Sequence, residues 1–157
     1  MARVLLAVLL LAGTAYGAPL AVGDPMPPLA LEDQHGRAGN IGEGVRVVVV
    51  SRDMEAGDVV KKALAGRDQA FLDANGAVYV ANISGMPALV TRLFALPRMR
   101  ERPYRMLLDR DGNATKDVPA VVGRPTVLAL DDGRVVRVSQ PGDPGTLAAE
   151  LTRPSTP

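Results

Sequence analysis

Residues 47 to 55 read VVVVSRDME: four valines run into Ser51, Arg52, Asp53, Met54 and Glu55. In open α/β sheets, ligands bind in the crevice at the carboxyl ends of strands, so this turn is where chemistry is sought first. It offers a hydroxyl, a guanidinium, two carboxylates and a thioether, but no thiol and no imidazole. A second candidate is RMLLDRDGN at 105–113, where Asp109 and Asp111 precede Gly112. Two others are Ser84, within NISG, and His35, the only histidine of the chain.

Each supports a specific reaction only if the spacing agrees. An apolar strand followed by Asp-x-Asp-Gly resembles the first motif of haloacid-dehalogenase-type phosphatases, with Asp109 as nucleophile and Asp111 as acid. Asp131 and Asp132 could then be a late acidic pair holding Mg²⁺ against phosphate. They follow too soon in sequence for the intervening strand–helix units, and two Asp/Gly turns explain both runs. A calcium loop of the EF-hand kind wants its glycine sixth, whereas Gly112 comes fourth. Ser84 lacks the first glycine of a nucleophile elbow and reads as a cap for the helix that Pro87 opens. GNIGEG at 39–44 precedes a strand, whereas a dinucleotide cradle follows one and opens a helix. Met54, Met86, Met99 and Met106 are too scattered to suggest thioether ligation of a soft metal, and Met commonly fills core gaps. Arg98, Arg100, Arg102 and Arg105 crowd LPRMRERPYR against Glu101 alone. This is either a solvated connection or a face for an acidic partner or anionic lipid head groups.

Composition removes whole classes of function. There are no cysteines, so disulfides and thiol chemistry are both excluded. One histidine cannot build a two-histidine metal site. No metal or cofactor is expected. The chain lacks tryptophan, and aromatics make up only 3% of it, so stacking platforms for nucleic-acid bases are absent. The amino terminus and Arg3, the apolar run Val4–Ala12 and the small residues of AYG have the layout of a secretory signal peptide over 1–17. The apolar run is too short for a membrane span. Cleavage before Ala18 leaves about 140 residues, enough for one core, and no stable membrane anchor. Arg3 leaves with the signal, so basic and acidic residues balance and give no pull toward nucleic acid. The expected location is periplasmic or secreted.

The elements that must position these residues follow from periodicity. Residues 18–24 form an extended lead-in, 25–152 one domain, and 153–157 a disordered tail. Strands are expected at 29–31, 45–50, 77–81, 105–108, 126–130 and 134–138. Apart from Arg46, Val45–Val50 is apolar without alternation, the mark of a central strand covered on both faces. Asp131-Asp132-Gly133 signals a tight hairpin. Helices are expected at 57–64, 87–96 and 146–151. In the second, Leu89, Val90, Leu93 and Phe94 form the inward stripe and Pro97 ends it.

Three stretches in this order carry a resemblance. VGDPMPPLALEDQHGR, RMLLDRDGNATKDV and VVGRPTVLALDDGRVVRV together resemble the peroxiredoxin/TlpA-like branch of the thioredoxin-fold superfamily, over roughly residues 22 to 152. The resemblance implies an α/β, thioredoxin-like fold: a central, mostly parallel sheet with an antiparallel C-terminal hairpin, flanked by helices. It also implies a cis Pro125 beside the position of the active-site cysteines. That position is Met54–Asp58 here and contains none. The expected function is therefore an exported, cysteine-free thioredoxin-like protein that binds a protein or peptide, with no catalytic residue. Arg52, Asp53, Met54, Arg124 and Pro125 would form the groove, and an extended peptide would pair with its backbone. The competing expectation is a flavin- or nicotinamide-dependent oxidoreductase, and behind it an Asp-based phosphatase.

Overall fold

The computed structural model describes residues 17–153; nearly all of the expected signal peptide and of the expected tail lies outside this range. Seven strands form one sheet: β1 (Leu29–Asp33), β2 (Ala38–Ile41), β3 (Val47–Ser51), β4 (Ala77–Asn82), β5 (Leu107–Asp109), β6 (Thr126–Asp131) and β7 (Arg134–Ser139), in the order β2-β1-β5-β4-β3-β6-β7. The three central strands β5, β4 and β3 are parallel. Antiparallel pairing takes over on both sides, through β1 and β2 at one edge and β6 and β7 at the other. This is the thioredoxin-like α/β arrangement, with the parallel part confined to the centre.

β3 explains its own sequence. All five residues are buried. Val47 and Val49 join one cluster with Tyr79, Leu108 and Val127, and Val48 and Val50 join the opposite one with Val80, Leu107 and Leu128. Side chains alternate across a sheet, so a strand covered on both faces needs apolar residues at every position. The first cluster lies under α1 (Met54–Ala63), α2 (Gln69–Ala74) and α5 (Pro144–Thr152), through Val60, Leu64, Leu72, Leu147 and Leu151. β6 and β7 meet at Asp132 and Gly133, both with positive φ. Two successive positive φ angles are what a type I′ hairpin turn requires.

The lead-in is tied to the domain. Leu20 and Met26 pack against the second cluster, and Gly23 N–H and Met26 N–H donate to Val135 O (2.7 Å) and Gly133 O (2.8 Å). The segment therefore covers the edge that β7 would otherwise leave open. β2 and α2 were not expected. Each is too short to show a period, although Asp68 caps α2 by accepting from Phe71 N–H at 3.1 Å.

The largest departure lies between β4 and β5. The helical course does not stop at Pro97: α3 (Ala88–Val90) runs through a π turn (Thr91–Ala95) into α4 (Leu96–Arg100). Leu96 N–H donates to Thr91 O, five residues back. A proline removes one backbone donor and crowds the preceding turn, and the wider π register accommodates it. Leu96 and Met99 pack on the core and Thr91 is buried. The expected inward stripe faces out instead, with Leu89 and Phe94 69% and 59% exposed and Val90 and Leu93 exposed beside them. Ser84 does not cap this helix: its N–H and hydroxyl both donate to Asn82 Oδ1, and no side chain caps α3.

Candidate functional site

The turn after β3 is built by side chains that hold other loops. Ser51 ends the strand, buried, with its hydroxyl 2.8 Å from Tyr79 OH. Burial pushes the Tyr79 phenol up to about 12 against the opposing hydrogen bond from Ser51, so it stays protonated at neutral pH. The Arg52 guanidinium reaches into the loop before β6, donating through Nη2 to Thr115 O and to Val118 O (2.6 Å for the latter). Burial lowers its pKa, while the Asp109 and Asp117 carboxylates oppose that shift. Asp53 does two things with one carboxylate. Its Oδ1 caps α1 by accepting from Ala56 N–H at 2.8 Å. With that cap in place the helix begins at Met54, earlier than Gly57. Its Oδ2 accepts from Gly123 N–H at 2.9 Å.

That second bond fixes a tight turn beside the helix start. Arg124 N–H donates to Val121 O at 3.1 Å, and Gly123 has a positive φ. A type II turn needs that conformation at its third residue. Pro125 follows, buried, at the start of β6. Its peptide bond is trans, contrary to the sequence expectation; no cis bond occurs among the described residues. The reversal that brings the chain back into the sheet is made at Gly123. Pro125 sits at the entrance to a strand, where a missing N–H is tolerated.

Of the five expected site residues, the structure brings all to the same end of the sheet but divides their roles. Arg52, Asp53 and Pro125 are held in the framework. Arg124 is exposed, and a side chain added at Gly142 would stand 3.4 Å from its guanidinium carbon. Met54 is 78% exposed on the first turn of α1. Across the Asp53–Gly123 hydrogen bond stands Val122, 87% exposed, with Val121 also exposed. These two valines were missed. The signal was present, since an apolar pair directly before a Gly-x-Pro turn has no strand in which to be buried.

The other candidates separate. Asp109 is wholly buried and accepts from Gly112 N–H (2.9 Å), Thr115 N–H (2.8 Å) and Thr115 hydroxyl (2.8 Å), bracing the loop that Arg52 holds. It pairs with Asn82 at the carboxyl end of β4, whereas Asp131 lies beyond Ala129, the partner of Val47, at the opposite end of the sheet. Asp109 and Asp131 therefore cannot share a magnesium ion, which removes the phosphatase reading. Gly39, Asn40 and Ile41 belong to β2, so GNIGEG forms part of a hairpin and no cradle. Met54 is exposed while Met106 is in the core, so the methionines do not converge. Among the described residues, no three His, Asp or Glu side chains come together as a metal site.

Part of the basic stretch is structural. Arg105 Nε donates to the buried Asp33 carboxylate at 2.9 Å, and Arg100 Nε donates to Gln34 O at 2.9 Å. Gln34, itself buried, donates to Tyr104 O (2.8 Å) and accepts from Met106 N–H (2.9 Å). Burial would raise the Asp33 pKa, but the Arg37 and His35 N–H groups and the Arg105 guanidinium outweigh it and bring the carboxyl down to about 2. Hydrogen bonds to the ionised form favour that form.

Several solved structures share this architecture. A peroxidoxin, BcpB, from Mycobacterium tuberculosis superposes with a TM-score of 0.54 at 20% identity, covering 84% of this chain and 96% of its own. A thiol:disulfide interchange protein, DsbE, from Chlorobium tepidum gives 0.57 at 19%, with the same coverage. A peroxiredoxin-like protein from Aquifex aeolicus gives 0.55 at 13%, covering 86% and 88%. No family model and no curated protein matches the chain. The chain has a thioredoxin-like fold without a cysteine. Identities this low establish the shared fold and nothing about activity.

Proposed function

We propose that this protein is an exported, cysteine-free thioredoxin-like module that acts by docking a protein or peptide on the surface made by Met54, Val121 and Val122. One observation carries the reading. Met54 and Val122, both more than three-quarters exposed, are the chain neighbours of Asp53 and Gly123, which a 2.9 Å hydrogen bond ties together at the carboxyl end of β3. Large apolar side chains held together in solvent mark an interaction surface more often than isolated exposed ones do. The surface is pre-ordered by the α1 cap and the Val121–Arg124 turn, so docking orders little additional chain.

Recognition is through side chains. Strand addition beside Pro125, the mode expected from sequence, finds the Gly123 and Arg124 N–H groups already spent on Asp53 and Val121. Met54 supplies an adaptable thioether arm, Val122 a fixed apolar knob and Arg124 a charge at the rim. Localisation to the periplasm or outside the cell belongs to the same reading and rests on the 1–17 pattern.

The test is site-specific photo-crosslinking from position 122 in the native host, with Met54→Asp and Val122→Asp as variants. Capture of a discrete partner by the wild type, lost in both variants at unchanged thermal stability, supports the reading. Absence of any discrete crosslink from position 122 or from position 54 refutes it.

A further inference from the structure

A cavity of about 450 Å³ opens at the carboxyl ends of β4 and β5, sharing no residue with the Met54–Val122 surface. This is the end of an open α/β sheet where ligands bind, and small-molecule sites span about 300–1,000 Å³. Ile83, Met86, Thr91 and Leu96 make its buried or half-buried floor, and Arg92, Arg100 and Arg110 stand exposed around it. No carboxylate lines it. Among the described residues, none of these three arginines forms an ion pair with an acidic side chain. Arg100 is fixed through Nε on Gln34 O, which leaves its two Nη groups for a ligand.

The π turn makes this arrangement. Ala88, Arg92, Leu96 and Arg100 all line the cavity at intervals of four residues. On a straight α-helix each such step rotates the side chain by about 40°, so Ala88 and Arg100 would end about 120° apart. The wider turn over Thr91–Ala95 takes up part of that drift and keeps the row on one cavity. The same rotation turns Leu89, Val90, Leu93 and Phe94 away from it into solvent.

We infer that this cavity binds an amphipathic anion: a carboxylate or phosphate head held by Arg92, Arg100 and Arg110, with an apolar body on Ile83, Met86 and Leu96. Planar guanidinium groups donate two parallel hydrogen bonds to either head. An apolar floor alone would accept a neutral or cationic amphiphile equally well, and the three arginines decide the sign.

The experiment is isothermal titration of the purified chain with decanoate and decyl phosphate below their micellar concentrations. Decyltrimethylammonium and inorganic phosphate serve as single-feature controls. Saturable one-to-one binding of the two anionic amphiphiles is expected, with both controls at least about tenfold weaker, because charge-assisted bonds and apolar burial both contribute. The double variant Arg92→Gln/Arg110→Gln and the mouth-filling Ala88→Trp each weaken decyl phosphate by about tenfold or more. The pair Leu93→Ser/Phe94→Ser, on the outer face, leaves it unchanged. Equal binding of decyltrimethylammonium, no saturable binding of either anion, or loss only in Leu93→Ser/Phe94→Ser overturns the inference. Co-sedimentation with phosphatidylglycerol vesicles that depends on Arg92 and Arg110 assigns the anion to a lipid head group. Binding of monomeric decyl phosphate without co-sedimentation assigns it to a free ligand.

Discussion

Replacing Asp53 by alanine removes two contacts from one carboxylate. The first is the α1 cap, the bond accepted from Ala56 N–H. Its loss costs about 1 kcal/mol, the usual effect for an N-cap aspartate. The second is the bond from Gly123 N–H, whose loss leaves a half-buried backbone donor without its acceptor. An orphaned donor of this kind costs about 1.5 kcal/mol. Together the two losses come to about 2.5 kcal/mol. With a urea slope of about 2 kcal/mol/M, the midpoint of unfolding falls by about 1.2 M at unchanged slope. Asp53→Asn separates the two parts. Its amide oxygen still caps Ala56, while its NH₂ group faces the Gly123 donor, so it retains the cap and loses the tie, at about 1.5 kcal/mol. The assay is urea denaturation followed by circular dichroism at pH 7. An alanine variant within about 0.5 kcal/mol of wild type, or an asparagine variant as costly as alanine, refutes the assignment of two independent roles.

Three further outcomes are expected. Asp33 is held at about 2 in the fold against an ordinary 3.8, so its ionised form stabilises the protein above about pH 4. That contribution is lost as the pH falls from about 4 through about 2, and Asp33→Asn flattens the dependence of unfolding free energy on pH in that window; an unchanged profile refutes it. Leu128 is fully buried in β6 and Leu93 lies on the exposed face of the π turn. Leu128→Ala therefore costs about 2–5 kcal/mol, while Leu93→Ala changes stability by less than about 0.5 kcal/mol, so equal costs would contradict the helix orientation. Intact-mass measurement of protein recovered from the native host gives a chain beginning at Ala18, and an intact Met1 would rule out cleavage.

The legible parts of the fold are those in which local pattern and tertiary position say the same thing. The unbroken valines of β3 announce burial on two faces because no exposed strand tolerates them. Asp132-Gly133 announces its hairpin because few residue pairs accept two positive φ angles. The order of such elements was enough for the thioredoxin-like architecture. The candidate site was only half legible. Its location after β3 followed from strand order, but Arg52 and Asp53 look the same in sequence whether they face a ligand or hold a loop sixty or more residues away. Val121 and Val122 lie outside the expected strand at 126–130, and their exposure became visible only with the turn at Gly123.

Pattern fails over the stretch 88–100. Leu89, Val90, Leu93 and Phe94 have the spacing of an inward stripe, and Pro97 has the look of a terminator. Both readings assume a regular α-helix. The π turn changes the rotation per residue, so the apolar row faces solvent and the Arg92–Leu96–Arg100 row faces a cavity. The chemistry the chain carries is readable from its residues alone: no thiol, a single imidazole, a net charge of only +1 and the strand pattern of its sheet. Which arginines are spent on backbone carbonyls and which are left for a ligand, and which apolar residues are core and which are surface, became visible once the chain was folded. Those outcomes depend on contacts between segments far apart in the chain, and local periodicity does not encode such contacts.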